Sequence, residues 1–167
     1  MRISERPILQ IEKKPFDKYL DTLALLLALS LFAIPFNYYS ILPESIPIHF
    51  NSRGEADGYG SKKIIWFIPI IGFAIHLLFK WLNKRPHVLN YPVKITKENA
   101  QAQYSMCLRV LRIVDVLMLL LFTSIVYQIC TASVNGMKEA YPWYTIVFIL
   151  SILVVLILYF YRSKKVK

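Results

Sequence analysis

Apolar and polar positions along this chain alternate on two scales, and the coarse one decides the architecture. Four long apolar blocks, roughly Leu20 to Ile41, Ile64 to Leu82, Val110 to Cys130 and Trp143 to Tyr161, are separated by polar segments. Each is near the ~20 residues that a helix rising ~1.5 Å per residue needs to cross ~30 Å of hydrocarbon. Unpaired backbone groups cannot face lipid, so blocks of this length predict helices. The expected fold is an all-α integral membrane protein with four transmembrane helices, residues 1–167 forming a single polytopic domain.

The fine scale is confined to the segment between the first two blocks, LPESIPIHFNSRGEADGYGSK, Leu42 to Lys62. Ile46, Ile48 and Phe50 alternate with Pro47, His49 and Asn51, the period of a strand with one apolar and one polar face. Asn51-Ser52-Arg53-Gly54 reads as a turn, and Glu55 to Tyr59 is expected to return as the partner strand. A two-stranded hairpin is marginal alone, so its apolar face is expected to rest on the membrane surface or across the helix ends. His49 and Asn51 would then point away from lipid, near Asp57. The glycines Gly54, Gly58 and Gly60 are expected to let the backbone turn tightly around them.

The second connection predicts a different device. Arg85-Pro86 and Tyr91-Pro92 interrupt regular structure, and Thr96 is placed to cap a helix beginning at Lys97 and Glu98. That helix is expected to run into the third block as an amphipathic lead. Ala100, Tyr104, Cys107 and Leu111 form one face, and Gln101, Gln103, Arg109 and Arg112 the other. Its first turns are expected to project from the membrane or bend along the headgroups. Pro35 and Pro69 are expected to kink the first and second helices. The kinks would either widen a vestibule under the hairpin or serve packing alone.

Composition agrees with the pattern: 56% hydrophobic residues against 18% charged is too apolar for a soluble domain. Charge adds orientation. Of the 20 Lys and Arg residues, 16 fall in the two tails and in the second connection with its flanks, which take in Lys80 and Arg112 at the ends of the adjoining blocks, and only Arg53, Lys62, Lys63 and Lys138 on the other side. The positive-inside rule therefore places the N and C termini in the cytoplasm and the hairpin outside the cytoplasm. Trp66, Trp81 and Trp143 stand at block ends, where amphipathic rings sit at headgroup level. A polar lead of about twenty residues and the lack of a small-residue cleavage pattern predict that the first span is retained as an anchor.

The net charge of +10 comes from residues flanking spans. Anionic lipid at the cytoplasmic face is the expected partner, with a cytoplasmic protein second, and nucleic acid is not expected. Cys107 and Cys130 sit at opposite ends of one helix, roughly 34 Å apart, too far for a bridge and expected as apolar fillers.

Chemistry concentrates in the hairpin, where His49, Asn51, Glu55 and Asp57 are the candidate binding residues for a protein or peptide ligand. Their spacing matches no metal-ligand motif, which leaves metal binding unknown, and no cofactor motif or catalytic signature is present. Inside the blocks, His76 and Asp115 are the ionisable residues expected to matter. One reading joins them between the second and third spans. The simpler one pairs Asp115 with Arg112 at i, i+3.

The hairpin string resembles the bacterial membrane domain of unknown function 1648, whose pattern is LPxxIPxHFNxxGxxDxxGSK. The matching positions are Leu42, Pro43, Ile46, Pro47, His49, Phe50, Asn51, Gly54, Asp57, Gly60, Ser61 and Lys62. The resemblance covers residues 20–82, with 83–167 supplying the inner connection and the last two helices. The same module forms the N-terminal part of SdpI-type proteins, which confer immunity to a secreted killing factor and sequester a repressor at the membrane. The resemblance thus implies a module of bacterial inner membranes, with immunity or signalling within reach. From the residues, a binding or sensing module ranks first, a structural or assembly subunit second, and a transporter or metal-dependent enzyme third.

Overall fold

The computed structural model describes residues 6–136 and 143–166, so Arg2, Lys138, Tyr141 and Lys167 lie outside the described residues. The order of elements is α1 (Pro15–Tyr38), β1 (Ser45–Phe50), β2 (Ala56–Ser61), α2 (Phe67–Leu82), α3 (Ala100–Asn135) and α4 (Trp143–Lys165). Four helices are long and apolar enough to cross a membrane, the second including the tight 3-10 turn Lys62–Trp66 that leads into α2. This is a multi-pass membrane protein. Exposed leucine, isoleucine and phenylalanine side chains such as Leu25, Leu29, Ile70, Leu78, Ile157 and Phe160 cover the outside of the bundle, as a lipid-facing surface requires.

The helices are arranged around α3, against which α1, α2 and α4 each pack. Leu20, Ala24, Ala28 and Leu31 recur along one face of α1 and are buried with Val116, Leu119, Val126 and Ile129 of α3. The two alanines let the backbones approach, which matters because lipid offers no hydrophobic drive between helices and association rests on close packing. Gly72 plays that part in α2: a Cβ there would sit 2.7 Å from Phe122 Cδ2 and 2.8 Å from Leu31 Cδ2. α4 packs on α3 along its length and buries little else.

At 36 residues, α3 is about 54 Å long and overruns the hydrocarbon. Its start is closed by a reciprocal cap: Asn99 N–H donates to Thr96 Oγ1 (3.3 Å) and Thr96 N–H to Asn99 Oδ1 (2.9 Å). The helix therefore opens at Ala100 with Asn99 as its N-cap, three residues later than the start at Lys97 expected from the sequence, and Thr96 closes the turn ahead of it rather than capping the helix itself. The first turns do not stand free, however. Ala100 and Tyr104 pack with Ile95, Leu9, Ile11 and Tyr91 in a second small core. Tyr104 OH donates to Pro7 O (3.2 Å), and Arg6 donates to Leu89 O while stacking over Tyr91. Burial pushes the Tyr91 phenol above its usual pKa.

The expected polar face of this lead also needs correction. Gln103 is fully buried, with its amide donating to Ser163 O and Val166 O (both 2.9 Å) and accepting from Ser163 Oγ (2.6 Å). Arg112 is buried as well, while Leu111 is only half-buried. A polar residue covered by a neighbouring element is buried whatever the local pattern, provided its hydrogen bonds are satisfied, as Gln103 is by the end of α4 and Arg112 by Asp21 of α1. These contacts hold the N-terminal segment, the second connection and the end of α4 together at the end of the bundle opposite the hairpin.

Of the two prolines, Pro69 falls in the first turn of α2, directly after the 3-10 turn, where a missing backbone donor costs least. Pro35 lies inside a continuous α1 and deprives the Leu31 carbonyl of its helical donor. Cys107 and Cys130 are free and buried, as expected.

Candidate functional site: the hairpin and the buried pair

β1 and β2 pair antiparallel with Ser45 opposite Ser61, Pro47 opposite Tyr59 and Phe50 opposite Ala56. The turn forms because Asn51 organises it. Its Oδ1 accepts from the N–H groups of Arg53 (2.9 Å) and Glu55 (3.0 Å), its Nδ2 donates to Glu55 Oε2 (2.8 Å), and Gly54 takes φ 86. Arg53 closes the same cluster on Glu55 at 3.0 Å. Asn51 and Glu55 thus spend their polar atoms inside the turn. Of the three glycines, only Gly54 needs a left-handed backbone. Gly58 and Gly60 are strand positions, where a Cβ would come within 3.0 Å of His49 Cβ and Ile48 Cδ1.

The strand departs from strict alternation. The register shifts around His49, so Ile46 and Pro47 are both buried while Ile48 is exposed. Ile46 and Leu42 join the main core beside Ile65, Ile129 and Cys130, which seats the hairpin across the helix ends. Ser61 Oγ accepts from Lys63 N–H (3.4 Å), and Lys62 pairs with Glu44 (3.0 Å) over the ring of Tyr39. Leu42, Ser61 and Lys62 therefore anchor the hairpin's base to α1 and α2.

With that base fixed, His49 Nδ1 meets Asp57 Oδ1 at 2.5 Å, both side chains open to solvent. Below them, a groove of about 580 Å³ opens between the hairpin, Ile68, α3 and α4. Ile125, Ile129 and Ile146 form its floor, and His49, Asn51 and Ser52 its rim. No α1 residue lines it, so it is not a vestibule opened by Pro35. Among the described residues, no three His, Cys, Asp or Glu side chains converge as a metal-ligand set.

The two intramembrane residues do meet. His76 of α2 and Asp115 of α3 are joined Nδ1 to Oδ2 at 2.8 Å, with side chains 4% and 5% exposed. The simpler reading fails because Arg112 turns to Asp21 of α1 (3.3 Å) and leaves Asp115 to the histidine. The second carboxylate oxygen of Asp115 has no partner among the described residues. One helical turn toward the termini, Asp21 gathers Lys13 (2.6 Å), Lys80 (3.6 Å) and Arg112, while Arg109 grips Asp17 through two bonds (2.9 and 3.3 Å).

The ionisable set within the apolar blocks is thus wider than His76 and Asp115, for it includes Asp21, Lys80 and Arg112. The available signal was depth. Asp17 and Asp21 stand at i, i+4 where the first block opens, and Arg109 and Arg112 at i, i+3 where the third does.

An Archaeoglobus fulgidus protein described as an uncharacterized protein is 36% identical over 86 residues, covering 43% of this chain and 47% of its own length. The chain thus spans about half the length of the curated relative it matches. No solved structure matches. Residues 25–73, comprising most of α1, the whole hairpin and the first turns of α2, match the model of the domain of unknown function DUF1648, and the chain carries that domain there.

Proposed function

We propose that the chain is a binding or sensing module of the cytoplasmic membrane that receives its ligand at the hairpin, on the extracytoplasmic face, with both termini in the cytoplasm. The observation that carries this reading is the groove beneath the hairpin, with an isoleucine floor and a polar rim supplied by His49, Asn51 and Ser52. Such a cleft suits an extended apolar or amphipathic segment whose polar groups meet the rim. The distribution of Lys and Arg supports the orientation. The module would act without a reaction of its own. Immunity of the SdpI kind, in which the occupied hairpin changes what the inner surface holds, is one form it would take.

Two measurements test this. In intact cells, a membrane-impermeant thiol reagent is expected to label Ser52→Cys and to spare Lys97→Cys; the reverse pattern would invert the orientation. A photoreactive residue at Ser52 is expected to give a discrete adduct in living cells that Ile125→Trp, which fills the groove floor, abolishes. An adduct indifferent to Ile125→Trp, or none, would remove the binding reading. A structural subunit is then the better account, supported by α4, whose apolar surface is almost wholly uncovered.

A further inference from the structure

A second cleft, about 360 Å³, lies between α3 and α4 at the end of the bundle opposite the hairpin. We propose that it is a binding site for an anionic phospholipid, with the phosphate at Arg109 and Arg162 and an acyl chain along Val110, Ile113 and Val155. The site does not depend on how the hairpin is read.

Arg109 is the residue before the third apolar block begins, and Arg162 the residue after the fourth ends. The fold brings these two boundaries into one cleft, so both guanidinium groups stand where a headgroup phosphate stands, at the edge of the hydrocarbon. On the hydrocarbon side of the arginines the lining includes Val110, Ile113 and Val155, an apolar wall for a chain, while on the other side Ser105 adds a hydroxyl beside Ala102 and Met106.

Arg109 is already neutralised by Asp17, with its Nε and Nη2 engaged. Arg162 forms no ion pair among the described residues, so the cleft keeps one uncompensated positive charge. The phosphodiester of an anionic lipid cancels it while accepting bidentate bonds from guanidinium; phosphatidylcholine offers the same phosphodiester but brings its own cation beside it, so its net attraction is weaker. The cleft volume admits a phosphate and the upper part of one chain, leaving the rest of the lipid against the exposed side of α4.

The test is native mass spectrometry of the full chain released from detergent with phosphatidylglycerol or phosphatidylcholine of identical acyl chains. Phosphatidylglycerol is expected to be retained preferentially. Arg162→Gln is expected to weaken that retention about five-fold, corresponding to about 1 kcal/mol per basic residue at a lipid surface. Arg162→Lys should retain most of it, and Lys164→Gln, an equal charge change outside the cleft, all of it.

Equal retention of the two lipids would overturn the proposal, as would an equal loss in Lys164→Gln, which would mean diffuse surface charge. Displacement of the lipid by glycerol 3-phosphate at matched concentration would assign the site to a free anion instead. Val155→Trp keeps both arginines and blocks the apolar wall, so undiminished retention in that variant would also refute the site, whatever the folding of Arg162→Gln.

Discussion

The protein contains the same side-chain pair twice. His49 Nδ1 meets Asp57 at 2.5 Å, and His76 Nδ1 meets Asp115 at 2.8 Å, yet the first side chains are 71% and 45% exposed and the second 4% and 5%. Water competes for every polar atom of the hairpin pair, so its net contribution is about 0–1 kcal/mol. The buried pair is costly to form. Once formed it is costly to break, because removing one partner strands the other in an apolar surrounding. Chemistry alone therefore does not rank the two; burial does.

The largest effect expected is on the buried pair. His76→Leu should lower stability in detergent by about 3–5 kcal/mol, measured by chemical unfolding. The double variant His76→Leu with Asp115→Leu should recover much of that loss, since no orphaned carboxylate remains. A double variant as unstable as the sum of its single changes would show that the two residues do not act together. Gly72→Ala comes next, at about 1–3 kcal/mol, because Phe122 and Leu31 leave no room for a methyl group one turn from His76. Thermal unfolding of this single variant checks whether the close approach of α2 to α1 and α3 supports the pair.

At the other end, Gly54→Ala is expected to cost about 1–2 kcal/mol, since φ 86 disfavours a Cβ. The loss should appear as faster amide exchange confined to the hairpin. The smallest effect belongs to His49→Gln, below about 1 kcal/mol and further reduced by salt. A double-mutant cycle on His49 and Asp57 giving a coupling as large as that between His76 and Asp115 would erase the distinction between the two pairs.

The hairpin was legible because its signals are local. A period of two, an Asx-organised turn and a glycine at the one left-handed position all act within a few residues. His76 and Asp115 were legible for a related reason, as isolated polar positions in apolar blocks attract attention. Their partnership was one of two open readings, with the i, i+3 pairing of Asp115 to Arg112 the simpler, and only the packed helices chose between them. That arginine proved committed to Asp21, a residue 91 positions away. Gln103 was misread for the same reason: helical spacing alone shows a polar face and carries no record of the α4 terminus that covers it. The shift around His49 likewise reverses the expected exposure of Ile48, because one irregular residue exchanges the faces of a strand.

What this amino-acid order determines by itself is transfer between phases and local geometry: four spans, the hairpin and its turn, and the break at Thr96 ahead of α3. Those follow from hydration cost and backbone sterics, which depend on neighbours in the chain. The tertiary structure alone decided that Arg112 goes to Asp21 and leaves Asp115 to His76, that Gln103 is covered, and that Arg109 and Arg162 share a cleft. Such pairings depend on the rotation and depth of helices packed side by side. For α1 and α2 against α3 they rest on close fit at positions such as Ala24, Ala28 and Gly72, which no short stretch of residues records.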